Sequence, residues 1–104
     1  MAKTKAPPVR LVTIEAARKQ DIQTRLARLR GQLDGIGRMV EEGRYCIDIL
    51  NQVASVQESL RGLSRVVMRN YLESCATSAL RSADSAEATR IYDEIIAQLY
   101  KHAR

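Results

Sequence analysis

Apolar residues recur at Leu26, Leu29, Leu33, Ile36 and Val40, with spacings alternating between 3 and 4. That spacing lines one face of a helix and predicts a first helix from about Ala16 to Glu42. Gly31, Gly35 and Gly37 fall inside it, each costing about 1 kcal/mol of helix propensity relative to Ala. Three glycines so close together predict a close helix–helix approach or a local bend. Gly43 follows, well suited to end the helix in a left-handed conformation. A second seam runs through Ile49, Val53, Val56, Leu60, Leu63 and Val67, again in steps of 4 and 3. It predicts a long helix from about Tyr45 to Ala79. The stretch "SADSAEATR" interrupts it, with Ser85 as an N-cap, and a third helix follows from about Ala86 to His102. Ala88, Ile91, Ile95 and Leu99 form its expected buried stripe.

The predicted class is therefore all-α: a three-helix protomer whose long second helix packs antiparallel against the first. Residues 1–15 hold both prolines and read as a flexible basic arm, and residues 16–104 read as one helical domain. A chain of 104 residues buries a limited core. Two long seams in so small a chain point to a homodimer or tetramer. No apolar run approaches the ~18–20 residues of a membrane span, and no secretory pattern opens the chain. The expectation is a soluble cytoplasmic protein without a membrane partner.

Charge is unevenly spread. Residues 1–44 carry ten Lys/Arg against five Asp/Glu, whereas residues 45–104 carry seven of each. The whole net charge of +5 thus sits in the first part of the chain. Arg18, Lys19, Arg25 and Arg28 form the candidate phosphate-binding surface, with Arg18, Arg25 and Arg28 on roughly one helix face. A solvated basic face is the alternative. No helix-turn-helix, zinc-finger or RNA-binding aromatic motif is present, so a broad surface of an oligomer would bind DNA.

Two cysteines, Cys46 and Cys75, lie 29 residues apart. On a straight helix that is roughly 43 Å, whereas a disulfide needs Cα atoms within ~7 Å. The two cannot cooperate within one copy of the helix, but they can meet across an antiparallel dimer with two equivalent sites. Each could instead be a small buried hydrophobe. In a reducing compartment, metal ligation or redox chemistry suits such a pair better than a structural disulfide. Cys46 opens its helix, where the peptide dipoles favour negative charge and Arg44 adds to it. It is the expected nucleophile, with Cys75 as the resolving thiol. No C-x-x-C, βαβ pattern or cofactor loop supports an enzyme.

The stretch "RLARLRGQLDGIGRMVEEGRYCIDILNQVASVQESL" resembles the copper-sensitive operon repressor family, which includes nickel/cobalt, formaldehyde and persulfide sensors. The basic R-x-x-R-x-x-G-Q stretch is matched by Arg25, Arg28, Gly31 and Gln32. A C-I-D-x-L-x-Q turn is matched by Cys46, Ile47, Asp48, Leu50 and Gln52, preceded by Tyr45, which resembles an outer-shell tyrosine. The resemblance covers residues 20–100. It implies a four-helix-bundle dimer and a dimer of dimers that represses transcription on operator double-stranded DNA and lets go when its effector reacts. Copper sensors place a histidine four residues before the second cysteine; this chain has Tyr71 there. A neutral phenol is a poor ligand for Cu(I), and the one histidine, His102, reads as solvated. The nickel/cobalt branch needs several histidines, and the formaldehyde branch has proline where this chain has Ala2. The acidic outer-shell residue would fall in the last helix, where strict spacing lands on Ile91 and Glu87 and Asp93 are the nearby candidates. The pattern resembles the persulfide-sensing branch most, with no metal or cofactor and a reactive sulfur effector crosslinking Cys46 to Cys75 of another subunit. A Cu(I) sensor using the same two cysteines as metal ligands is the alternative.

Overall fold

A computed structural model describes residues 14–82 and 84–102. The arm expected over residues 1–15 lies outside them except for its last two positions. Among the described residues all regular structure is helical: α1 (Ala16–Glu41), α2 (Cys46–Asn70), a π-helical turn (Tyr71–Ala76), α3 (Thr77–Arg81) and α4 (Ser85–His102). The predicted second helix is thus realised as a continuous helical run, Cys46 to Arg81, with a change of hydrogen-bond register inside it. No helix among the described residues is long and apolar enough to cross a membrane.

Two compact units are distinguished, residues 14–69 and residues 70–102. The first is a helical hairpin. Its turn is closed by the paired bonds of a Schellman motif: the Arg44 N–H donates to the Met39 carbonyl at 2.9 Å and the Gly43 N–H to the Val40 carbonyl at 3.1 Å. Gly43 takes φ 69°, the left-handed conformation in which a Cβ is disfavoured. Two contacts then give the antiparallel register. Gln32 Nε2 donates to Ser55 Oγ at 3.4 Å, and Arg25 Nη1 lies 2.9 Å from the point a Cβ would occupy on Gly62. Both pairs are centred on the Gly43–Arg44 turn.

Ile22, Leu29 and Val56 are buried in this unit, but Leu33, Val40, Leu60 and Val67 of the same predicted seams are exposed. One hairpin covers only part of its own apolar face. Of the two expectations at the α1 glycines, a close approach or a local bend, the close approach is not made among the described residues at Gly31 or Gly37, where a Cβ would meet open space.

The second unit centres on Ala76, Ala79 and the fully buried Ile91, with Tyr71 and Ile95 packed against them. Of the stripe expected on α4, Leu99 departs from the prediction and is exposed, as are Tyr92, Ile96 and Tyr100. Asp84, not Ser85, caps α4: its Oδ1 accepts the Ala86 N–H at 3.0 Å. The preceding helix leaves at Ser82 in an extended conformation, and Ser82 Oγ accepts the Asp84 N–H at 3.2 Å. This places Asp84 in the flanking position and makes Ser85 the first helical residue.

Replacing Gly43 with Ala introduces the left-handed penalty of about 1–2 kcal/mol. The urea midpoint is expected to fall by the corresponding amount with the slope of the transition unchanged.

Candidate functional site

Cys46 stands at the first position of α2, exposed, with a free thiol. The helix begins there because the Tyr45 carbonyl accepts the Asp48 and Ile49 N–H groups at 3.0 and 3.2 Å. The Tyr45 side chain is exposed. Glu42 Oε1 lies 4.0 Å from Arg44 Nη1, so the cation two residues before Cys46 is loosely paired at the surface.

Cys75 is a half-buried free thiol in the π-helical turn, in the other unit. Tyr71 shares that turn, so the two positions singled out there are brought together. The Tyr71 ring packs against the Ala76–Ala79–Ile91 core. Its hydroxyl donates to Glu94 Oε1 at 2.7 Å. The other Glu94 oxygen accepts from Arg90 Nη1 at 2.8 Å. Arg90 in turn forms a two-pronged pair with Glu87, Nε to Oε1 at 3.0 Å and Nη2 to Oε2 at 2.7 Å. Burial first, and then the hydrogen bond to Glu94, push the Tyr71 phenol well above its ordinary range; a charge on Cys75 would push the same way. The hydrogen bonds from Arg90 hold the Glu87 carboxyl below the usual carboxylate range. Tyr71 is therefore a neutral phenol whose proton is already committed, which makes it a poor soft-metal ligand.

Glu94 is the acidic partner that the sequence did not single out. Ile91, where strict spacing falls, is buried in the core, and Asp93 is exposed. Glu87 takes part through Arg90. The legible signal was the spacing Glu87, Arg90, Glu94, which stacks opposite charges along one helix face. Among the described residues, no three His, Cys, Asp or Glu side chains gather to hold a metal ion.

The basic candidates on α1 divide by exposure. Arg25 is half-buried, paired to Asp21 Oδ1 at 3.1 Å, with its guanidinium lying over Gly62. Arg18 is also half-buried, whereas Lys19 and Arg28 are exposed.

The family model for metal-sensitive transcriptional repressors matches residues 18–101. The chain belongs to that family. Its members are transcriptional repressors, not enzymes. The chain is 44% identical over 64 residues to the copper-sensing transcriptional repressor CsoR of Mycobacterium tuberculosis, which covers 62% of this chain and 54% of the relative. It thus spans about half the length of the mycobacterial relatives it matches. It is 37% identical over 70 residues to the copper-sensing repressor CsoR of Bacillus subtilis, covering 67% of this chain and 69% of that one. The fold is similar to the crystal structure of the copper-sensing repressor CsoR with Cu(I) from Geobacillus thermodenitrificans. That match has a TM-score of 0.78 and 28% identity over 89% of this chain and 94% of the other. The family resemblance read from residues 25–60 and the all-α class are both confirmed by these matches.

Tyr71 links stability to pH. Its folded-state value lies above the ordinary 10.0, so folding favours the neutral phenol. That contribution is complete below the ordinary value and is lost as pH rises above it, where the unfolded state releases the proton first. Urea denaturation between about pH 9 and about pH 12 is expected to show falling stability, and a shallower fall in Tyr71→Phe.

Proposed function

We propose that this protein is a cytoplasmic, homo-oligomeric transcriptional repressor that binds operator DNA and is released by Cu(I). The ion would be held by Cys46 of one subunit and Cys75 of the partner subunit. The observation that carries this reading is the free Cys75 thiol in one turn with a tyrosine whose hydroxyl is given to Glu94, with a second free thiol, Cys46, exposed at the start of α2. Two thiolates form a soft donor set, and soft donors select Cu(I). The copper-sensing relatives support the same effector. Bound Cu(I) would supply a bridge between subunits, favouring one bundle arrangement over another. The exposed residues of the α1 and α2 seams support assembly, because a second hairpin would cover them. A four-helix-bundle dimer and a dimer of dimers are the assembly this implies.

A second reading is favoured by the absence of a nitrogen ligand at position 71. The Cys46 thiolate would attack the outer sulfur of a persulfide donor, take that sulfur and release the donor thiolate. Cys75 of the partner subunit would then attack the Cys46 persulfide, forming an inter-subunit disulfide and releasing hydrosulfide. Were Cys75 first to take a sulfur from a second donor, releasing that donor's thiolate, its terminal sulfur would displace hydrosulfide from the Cys46 persulfide and leave a trisulfide bridge. The effector is then reactive sulfur, with no metal required.

DNA contact falls to the basic half of the chain: the arm over residues 1–15 and the exposed Lys19 and Arg28, with Arg18 and Arg25 shaping the face from their half-buried positions. Residues 16–104 serve as the DNA-binding and sensor domain. Replacing Lys19 or Arg28 with Ala is expected to weaken operator binding and to lower the salt dependence by about one unit per contact site. Binding isotherms at several salt concentrations measure both.

Titration of operator DNA with reduced protein, repeated after Cu(I) and after a persulfide donor, tests the effector. Release at one Cu(I) per subunit, lost in Cys46→Ser and Cys75→Ser, supports the copper reading. Release by the persulfide donor alone, with inter-subunit sulfur bridges in the mass spectrum, transfers the assignment to reactive sulfur. Release by neither removes both.

A further inference from the structure

Tyr71 and Cys75 share the π-helical turn Tyr71–Ala76. Such turns are rare and recur at functional sites. Here the bonding skips one residue more than in an α-helix: the Thr77 N–H reaches the Leu72 carbonyl. Thr77 Oγ1 donates to the same carbonyl at 2.7 Å, so side chain and backbone reinforce one register. A π turn winds more residues per turn than an α turn. The register therefore decides which way Cys75 faces relative to Tyr71 and to the core formed with Ile91.

Beside that local tie at Thr77, a longer-range one comes from α4. The Tyr71 ring is seated on Ala76, Ala79 and Ile91, and its hydroxyl reaches Glu94, 23 residues along the chain. Glu94 is itself held by Arg90, and Arg90 by Glu87. A relaxed α register would turn Tyr71 and Cys75 against each other, so the phenol could not keep both its seat and its acceptor while Cys75 kept its shelter.

We propose that Tyr71 is a positioning residue: its hydrogen bond to Glu94 holds the π turn and thereby sets how far the Cys75 thiol is sheltered. The use made of Cys75 rests on the thiol-pair reading above; the positioning does not. A thiol held in this way is presented to an effector in one direction and is kept from indiscriminate reaction.

The test is the alkylation rate of each cysteine by iodoacetamide in the full-length reduced chain, read by peptide mass spectrometry with Cys46 as internal reference. Tyr71→Phe keeps the ring and removes the donor. Loss of a hydrogen bond to a charged acceptor is expected to speed Cys75 alkylation about tenfold, with Cys46 unchanged. Glu94→Gln keeps an acceptor for the phenol but loses the Arg90 pair, and a smaller acceleration at Cys75 is expected. An unchanged Cys75 rate in Tyr71→Phe overturns the proposal. Equal acceleration at both cysteines overturns it too, since that is general loosening. If Cys75 alone accelerates while neither Cu(I) nor a persulfide donor releases the wild-type protein from DNA, the positioning stands and the sensor reading falls.

Discussion

Burial of a long apolar seam organises residues 14–69. The hairpin covers Ile22, Leu29 and Val56, yet Leu33, Val40, Leu60 and Val67 lie on the same helical spacing and stay exposed. Two helices can enclose only the strip where they touch. A stripe about three to four residues wide per two turns needs cover from more than one neighbour. The turn serves that burial: Gly43 in a left-handed conformation brings α2 back along α1, and the pairing of Gln32 with Ser55 follows from it. The small Gly62 admits the Arg25 guanidinium, so one basic residue of α1 lies partly over α2.

The second unit answers a different constraint. A phenol whose ring is seated against a small apolar core still seeks an acceptor for its proton. Tyr71 finds it in Glu94, and Glu94 is steadied by Arg90. That polar chain does two things at once. It commits the hydroxyl proton to Glu94, and it joins the turn carrying Cys75 to α4.

Much of this was legible in the chain. The 3-and-4 spacing of Leu26 to Val40 and of Ile49 to Val67 specified two helices, and Gly43 marked their turn, because these are local properties of backbone and pattern. The cysteine motif around Cys46 pointed to the family on the same basis. Other features were not legible. Ser85 and Asp84 are both competent caps, and the choice depended on where Ser82 leaves the preceding helix. Leu99 fits the α4 stripe by period but lies beyond the reach of the Ile91 core.

By itself the sequence determined the helical class, the hairpin, the two thiols and the excess of positive charge in residues 1–44, since each follows from residue type and short-range spacing. The tertiary structure alone decided the identity of Glu94 as the partner of Tyr71, and it joins that contact to the π turn Tyr71–Ala76. An α and a π turn differ by one hydrogen-bond step, and in the form adopted Thr77 bonds the Leu72 carbonyl through both its N–H and its hydroxyl. A contact across 23 residues, made only when α4 docks on Ala76 and Ala79, accompanies the form that is adopted.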